Sequence, residues 1–260
     1  MIIGDLHIGW EASLNEHGIH IPSQTPRLLE RLREVVEIVD PIRMIILGDI
    51  KHSIVKMRYM DWHDIPLFFE TLTSLVGEVW VVPGNHDGNL EALISQNVKV
   101  LTVSGATFDR EVGIIHGHAW PKPEILGCNS IIMGHLHPMI ALIDALGFVT
   151  THQVWLRTPS NGEALARGLL KNLKIRVEGD IKATMKKRFN VILGNPHCII
   201  LPSFNNLLSG QAMNRSLVDT VSRRSYLGPL LKSGGIDLKN GDVYLLDGSY
   251  LGKLSLIRRL

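Results

Sequence analysis

The chain has 260 residues, enough for one large domain or for one domain with an appendage. Hydrophobic residues make up 45% and charged residues 20% of it, a composition that excludes a disordered or fibrous protein. No apolar run approaches the roughly 20 residues of a membrane span, and the first residues do not form a signal peptide. We therefore expect a soluble, cytoplasmic protein without a membrane partner, whose two cysteines, Cys128 and Cys198, are reduced.

The net charge of +2 conceals opposite charges in the two parts of the chain. Residues 1–150 contain 10 Lys and Arg against 18 Asp and Glu, whereas residues 151–260 contain 17 against 7. The balances are therefore −8 and +10. An acidic part suits a site for divalent cations, and a basic part suits a polyanion such as DNA. Alternatively, the oppositely charged segments attract one another within one fold.

The first half alternates short β-branched runs with helical patterns, which predicts β-α-β units around a largely parallel sheet. The first long helix is amphipathic, with Thr25 expected to cap it and Pro26 suited to its first position. A second helix is predicted at about 66–76, where Gly77 would form a left-handed terminus, and a third at about 89–95. The predicted strands are 1–3, 44–47, 79–82, 98–103, 113–115 and 130–133.

Beyond Pro138 the pattern changes to a basic stretch that contains helices, over about 151–188. Strands return at 191–193 and 198–202, and a final hairpin joins strands 243–246 and 250–256 through the turn Asp247-Gly248. No linker separates these parts. We predict a catalytic core over 1–150 and, over 151–260, a basic insertion followed by strands that complete a second sheet within one domain.

Polar motifs directly follow the predicted strands, where the loops of a parallel sheet converge on one edge. Each motif alone has a plainer alternative, such as a turn, a helix cap or a pair of solvated histidines. Their order on successive strand ends is poorly explained by coincidence. The motifs are Asp5-Leu6-His7, Gly48-Asp49-Ile50-Lys51-His52, Gly84-Asn85-His86-Asp87, His116-Gly117-His118 and Gly134-His135-Leu136-His137.

The motifs combine imidazole, carboxylate and amide oxygen without a thiolate. This set suits Mn²⁺, Fe²⁺, Zn²⁺ or Ni²⁺ better than a cysteine-bound structural zinc, and it is large enough for two ions.

The motif set resembles that of the calcineurin-like metallophosphoesterases over about residues 1–138. Within that family the chain looks most like archaeal phosphoesterases related to SbcD-type repair nucleases, on the basis of residues 5–11, 18–22 and 48–52. The resemblance implies a four-layer α-β-β-α sandwich with a β-rich, basic C-terminal extension. It also implies a hydrolase that cleaves phosphodiester bonds with a hydroxide that bridges two divalent metal ions, most typically Mn²⁺.

The same resemblance implies a role for each motif residue. The ligands of one ion would be Asp5, His7, Asp49 and His137, and those of the other Asp49, Asn85, His116 and His135. Asp49 would thus bridge the ions. Asn85 and His86 would contact the substrate, with His86 as general acid for the leaving oxygen. The residues that would support ligands through hydrogen bonds are His52, His118 and Asp87.

Three functions are compatible with this pattern: a nuclease of DNA repair, an enzyme of small phosphodiesters or phosphomonoesters, and a non-catalytic scaffold. Intact motifs argue against the scaffold. Against the nuclease, only about 120 residues follow the last motif, whereas SbcD-type nucleases carry a larger DNA-capping region there. Aromatic residues that could stack on bases also occur singly in 151–260, at Trp155, Phe189, Phe204, Tyr226, Tyr244 and Tyr250.

Two matters stay open in the sequence. Relatives have more chain before the first motif than the four residues found here, so we expect the true start to lie upstream of Met1. The sequence motifs indicate neither the physiological substrate nor the oligomeric state.

Overall fold

The computed structural model describes residues 1–15, 17–54, 58–177, 179–215 and 228–257. The chain divides into two compact units, Met1–Thr102 and Val103–Leu260. The division at residue 150 into a catalytic core and an extension stays a prediction. Among the described residues, no helix combines the length and apolar character that a membrane crossing requires.

The first unit is built on a parallel sheet whose strands lie in chain order. The central strands are continuous apolar runs, as expected where both faces of a sheet are covered. This confirms the predicted parallel sheet for its first four strands, whereas the predicted strands 113–115 and 130–133 belong to the sheet of the second unit. The fourth strand ends before residue 101, because the chain turns at 103–104. The strands are β1 (Ile2–Gly4), β2 (Arg43–Leu47), β3 (Glu78–Val82) and β4 (Val98–Val100).

Three α-helices accompany this sheet, namely α1 (Ala12–Asn15), α2 (Thr25–Val39) and α3 (Asp61–Leu75). Helix α2 buries its leucine stripe as predicted and has proline in its first turn. Its N-cap is Gln24 rather than Thr25, because the Thr25 hydroxyl instead donates to Asp64 Oδ2 of α3 at 3.0 Å.

Helix α3 starts at Asp61, earlier than predicted, and Pro66 lies inside it. The prediction of a left-handed end at Gly77 is wrong, since Val76 already has an extended backbone. The predicted third helix is only a 3-10 turn at Leu90–Ala92.

The second unit is built on a mixed sheet with the strand order β11-β8-β9-β10-β7-β6-β5. Strands β6, β7 and β10 run parallel to one another, so their carboxyl ends share an edge. Strand β12 pairs with β9 and with β13. The strands are β5 (Ala106–Phe108), β6 (Val112–Ile115), β7 (Ser130–Met133), β8 (Pro138–Ile143), β9 (Val149–Thr158), β10 (His197–Ile200), β11 (Gln211–Ala212), β12 (Asp242–Leu245) and β13 (Tyr250–Lys253).

The basic stretch after β9 forms helices α4 (Gly162–Asn172) and α5 (Ile181–Phe189), which confirms its helical content. Their apolar faces join the strands in one core cluster that contains Leu165, Leu169 and Met185. Short helices α6 (Pro229–Lys232) and α7 (Leu254–Ile257) complete the described part of the unit.

Two strand predictions in this unit need correction. The predicted strand at 191–193 is absent, because these residues form irregular chain between α5 and β10. The final hairpin is confirmed, but its second strand ends at Lys253, where the chain turns into α7. The aromatic residue Tyr226 lies outside the described residues.

Candidate metal centre

Five of the predicted ligands have a left-handed backbone. Their φ angles are 56° at Asp5, 45° at His7, 49° at Asp49, 69° at His135 and 44° at His137. Residues other than glycine seldom adopt this conformation, and it costs on the order of 1–3 kcal/mol where it persists. Such strain is retained where the surrounding structure enforces it, most often at functional sites. The motifs themselves contain no signal of it.

In the first unit, two motifs meet because β1 and β2 are neighbours. The amide of Asp5 donates to the carbonyl of Gly48 at 3.0 Å, and the amide of His7 donates to the carbonyl of Asp49 at 2.8 Å. Nε2 of His7 lies 3.5 Å from Oδ2 of Asp49. Asp5 is completely buried and Asp49 is 2% exposed. Buried carboxylates of this kind are costly unless a cation or several donors stabilise them.

The loop after β3 lies against Asp49, and Gly84 makes this approach possible. A Cβ atom at Gly84 would overlap both the side chain and the backbone nitrogen of Asp49. The amide of His86 donates to Oδ1 of Asp49 at 3.0 Å, while Asn85 beside it is exposed. One oxygen of Asp49 is thus oriented by the protein, and the other, Oδ2, lies 4.0 Å from Nε2 of His86.

Asp87 connects the loops that follow β2 and β3. Its Oδ1 accepts the amides of Ile50 at 2.9 Å and Lys51 at 3.3 Å, and its Oδ2 accepts the amide of Gly84 at 2.7 Å. Hydrogen bonds to a charged acceptor are stronger than those between neutral groups. The contacts agree with a supporting position for Asp87, since they fix the loops that carry Asp49 and Asn85.

Three histidines of the first unit lie together. Nδ1 of His86 is 2.5 Å from the carbonyl oxygen of His52, which can only accept, so this nitrogen of His86 carries a proton. Nδ1 of His52 is 3.3 Å from Nδ1 of His7. Burial, reinforced by His86 and Arg58, lowers the pKa of His52, which favours a neutral ring that can orient His7.

These contacts allow a second interpretation of the same histidines. The ring nitrogens of His7, His52 and His86 lie within 4.8 Å of one another, close enough to hold one ion. In that case His52 and His86 would be ligands, in contrast to their predicted roles.

Lys51 has no predicted role, yet its side chain is 1% exposed beside the acidic groups of the first unit. Its ammonium group donates to the carbonyl of Ser53. Burial lowers its pKa, whereas the carboxylates of Asp87, Asp61 and Asp49 raise it. A buried cation in this position offsets part of the mutual repulsion of these carboxylates. The sequence feature that could have indicated a role for Lys51 is its position within the motif Gly48-Asp49-Ile50-Lys51-His52.

The second unit brings four histidines to adjoining strand ends. His116 follows β6 and is completely buried, and His135 follows β7. Their ring centroids are 4.9 Å apart, and the amide of Gly134 donates to the carbonyl of His116 at 3.0 Å. His118 lies 5.2 Å from His116, and the carbonyl of His137 accepts the amide of Gln211 at 3.0 Å.

Each unit therefore contains part of the predicted ligand set, at the carboxyl ends of parallel strands as expected. The first unit brings together carboxylates and imidazole, and the second brings together imidazoles. The donor atoms suit divalent ions of the first transition series.

Comparison with known proteins finds a family model and solved structures to which this chain is similar. The family model of the calcineurin-like phosphoesterases matches residues 1–132, which is half of the chain. No curated protein matches significantly. Among solved structures, the Pseudomonas putida nuclease MPE matches with a TM-score of 0.50 at 16% identity, over 94% of this chain and 82% of that one. A protein of unknown function from Aquifex aeolicus has a TM-score of 0.35 at 18% identity, over 52% of this chain and 77% of that one.

Proposed function

Because the chain belongs to the calcineurin-like phosphoesterase family and is a metal-dependent hydrolase of phosphoesters, we propose that it cleaves phosphodiester bonds of nucleic acid with two divalent ions. The mixed α/β metallophosphoesterase fold agrees with the prediction from the sequence. The observation that carries the proposal is the group of ligand residues with a left-handed backbone at strand ends, of which Asp5, His7 and Asp49 are buried.

The residues present fit a metal centre by their chemistry. The buried carboxylate of Asp49 lies beside the imidazole of His7, and the motifs contain no thiolate. When bound, two divalent ions lower the pKa of a water molecule and neutralise charge on the phosphate. Mn²⁺ suits this oxygen-and-nitrogen set. The proposed ligands are Asp5, His7, Asp49 and His137 for one ion, and Asp49, Asn85, His116 and His135 for the other.

Within this centre, His86 is proposed to protonate the leaving oxygen. Its Nδ1 proton is bonded to the carbonyl of His52, which fixes the ring and leaves Nε2 to exchange a proton with a substrate. Nε2 lies 4.0 Å from Oδ2 of Asp49, the proposed bridging ligand. Asn85 is exposed beside it and can donate to a phosphoryl oxygen.

Nucleic acid is the proposed substrate for two reasons. The balance of +10 in residues 151–260 suits a polyanionic backbone. The fold is shared with a structure described as a nuclease, which supports the proposal without deciding it. A relation to the SbcD-type repair nucleases remains part of the proposal, and hydrolysis of small phosphodiesters or phosphomonoesters is the alternative outcome.

Hydrolysis of bis-p-nitrophenyl phosphate with Mn²⁺ tests the chemistry, and single-stranded and duplex DNA test the substrate. In His86→Ala we expect two bound ions per chain and, with DNA as substrate, a kcat about 10²–10⁴-fold lower, the usual contribution of a general acid, because the alkoxide that leaves DNA must be protonated. The rate with bis-p-nitrophenyl phosphate should fall much less, because p-nitrophenolate leaves without a proton. The matched control is His152→Ala, since His152 is exposed and its ring bonds to Thr150. This control should keep full activity.

Three results would count against the proposal. Loss of a metal ion in His86→Ala would make His86 a ligand, in agreement with the alternative histidine group. Activity on the diester without turnover of DNA would favour the small-substrate alternative. Absence of hydrolysis with every divalent ion, in a protein that binds two ions, would contradict the enzymatic role.

A further inference from the structure

Three aromatic residues that occur singly in the sequence lie together on one face of the second sheet. Tyr244 of β12 is the cross-strand partner of Trp155 in β9, and the rings of Tyr244 and Tyr250 have centroids 5.2 Å apart. Facing residues of paired strands are close enough for large side chains to touch. We call Trp155, Tyr244 and Tyr250 the aromatic patch. Residues that look isolated in the sequence therefore form one surface.

The aromatic patch is on the face opposite the core cluster of this unit. Val154, Leu156 and Val243 are buried in that cluster, so the intervening Trp155 and Tyr244 must point to the other face, because successive side chains alternate. Tyr250 remains 56% exposed. A shallow groove of about 480 Å³ runs along this face beside Trp155 and Tyr244.

Charge is arranged unevenly along the groove, since the exposed carboxylate of Asp247 lines it beyond Tyr244 and a cation lines it beyond Trp155. Arg157 is exposed, lies two residues after Trp155 on the same face, and lines the groove. Asp242, its cross-strand partner, is already bonded by Lys253 Nζ at 2.6 Å and by the Tyr250 hydroxyl at 3.0 Å. An anionic ligand is therefore favoured at the Arg157 end of the groove.

This combination fits single-stranded nucleic acid better than an apolar partner. Every base has a π-face that can stack on an aromatic side chain, and binding grooves for single strands combine such rings with cations that follow the backbone. The rings of the aromatic patch occupy neighbouring positions, as successive bases do. The charge balance of +10 in residues 151–260 suits the same ligand.

We propose that the aromatic patch stacks unpaired bases of a single-stranded nucleic acid while Arg157 contacts a backbone phosphate. This inference rests on the proposed function, because it identifies a substrate class for the same enzyme. It also answers the objection that the aromatic residues of 151–260 are too scattered to bind single strands.

The test is the affinity of the full-length, metal-free chain for a fluorescently labelled oligothymidylate, measured by anisotropy in EDTA so that the probe is not cleaved. We expect Trp155→Ala and Tyr244→Ala each to weaken binding about tenfold, in line with the loss of one stacked base. Trp155→Phe should retain most of the affinity, because its ring can still stack on a base. Circular dichroism and urea unfolding of Trp155→Ala should match the wild type, which separates stacking from a folding defect. Arg157→Gln should lower the slope of log affinity against log salt by about one.

Two comparisons make the result specific. Phe148→Ala removes an aromatic ring that is 66% exposed at the turn between β8 and β9, outside the aromatic patch, and should leave the affinity unchanged. Affinity for a duplex of equal length that is closed by a hairpin loop at each end should also be unchanged in Trp155→Ala, because bases inside a duplex are already stacked on one another.

Unchanged affinity for oligothymidylate in both alanine variants, or no binding by the wild-type chain, would overturn the inference. It would also be overturned if sedimentation showed that Trp155→Ala dissociates a dimer without a loss of DNA affinity, since the patch would then bind a second copy. Hydrolysis of bis-p-nitrophenyl phosphate separates the two proposals. A wild-type chain that binds oligothymidylate through Trp155 but hydrolyses no phosphodiester would contradict the proposed function and leave the binding inference intact.

Discussion

Asp87→Asn is expected to destabilise the first unit substantially, although it changes a single buried atom. The carboxylate accepts three backbone amides, from Ile50, Lys51 and Gly84, on its two oxygens. Asparagine keeps one acceptor oxygen and turns an NH₂ group towards the remaining amide or amides. A buried donor left without an acceptor costs about 1–3 kcal/mol, and the remaining bonds lose their charge assistance. We expect the free energy of unfolding to fall by about 2–4 kcal/mol.

The assay is urea unfolding of the metal-free chain, followed by circular dichroism, so that a loss of metal does not contribute. Asp144→Asn is the matched control, because Asp144 also accepts two backbone amides, from Leu146 and Phe148, but in an exposed turn where water can replace them. It should change stability by less than about 1 kcal/mol. If the free energy of unfolding of Asp87→Asn lies within about 0.5 kcal/mol of the wild-type value, the assigned role of Asp87 is wrong.

Three further predictions follow from close contacts and burial. Gly84→Ala should displace Asp49 and lower metal occupancy in equilibrium dialysis, whereas Gly88→Ala in the same loop, where an added Cβ meets nothing within 4 Å, should not. Burial raises the pKa of Cys128 and raises that of Cys198 to about 12, so neither thiol should react with a disulfide reagent at pH 8 before urea unfolds the chain. Because the folded state retains the Cys198 proton that the unfolded chain releases, stability should fall as pH rises from about 9 to 12. Rapid labelling of Cys128 or Cys198 in the native chain would refute the prediction that neither thiol reacts before unfolding.

The sequence was sufficient for the elements whose pattern depends on local chemistry. The buried strands of the first unit, the leucine stripe of α2 and the Asp-Gly hairpin follow from periodicity and turn preference. The predicted ends of the helices were less accurate, because tertiary contacts determine where a helix begins and ends. The Thr25 hydroxyl donates a hydrogen bond to Asp64 and does not cap α2. The apolar run at 191–193 became irregular chain instead of a strand.

For the candidate site, the sequence identified the motif residues but not how their positions are maintained. The left-handed backbone at Asp5, His7 and Asp49, and the burial of Lys51, depend on contacts between loops far apart in the chain. The aromatic patch depends likewise on the register of β9 against β12, which pairs Trp155 with Tyr244. Propensity and periodicity report neighbours along the chain, whereas these features come from neighbours across a sheet.

The central claim, hydrolysis that requires two metal ions per chain, is tested most directly by titrating metal-stripped protein with Mn²⁺ while hydrolysis of bis-p-nitrophenyl phosphate is measured. We expect no activity in EDTA and activity that saturates only when two equivalents are bound. Full activity after one equivalent, or activity that persists in the stripped protein, would contradict it.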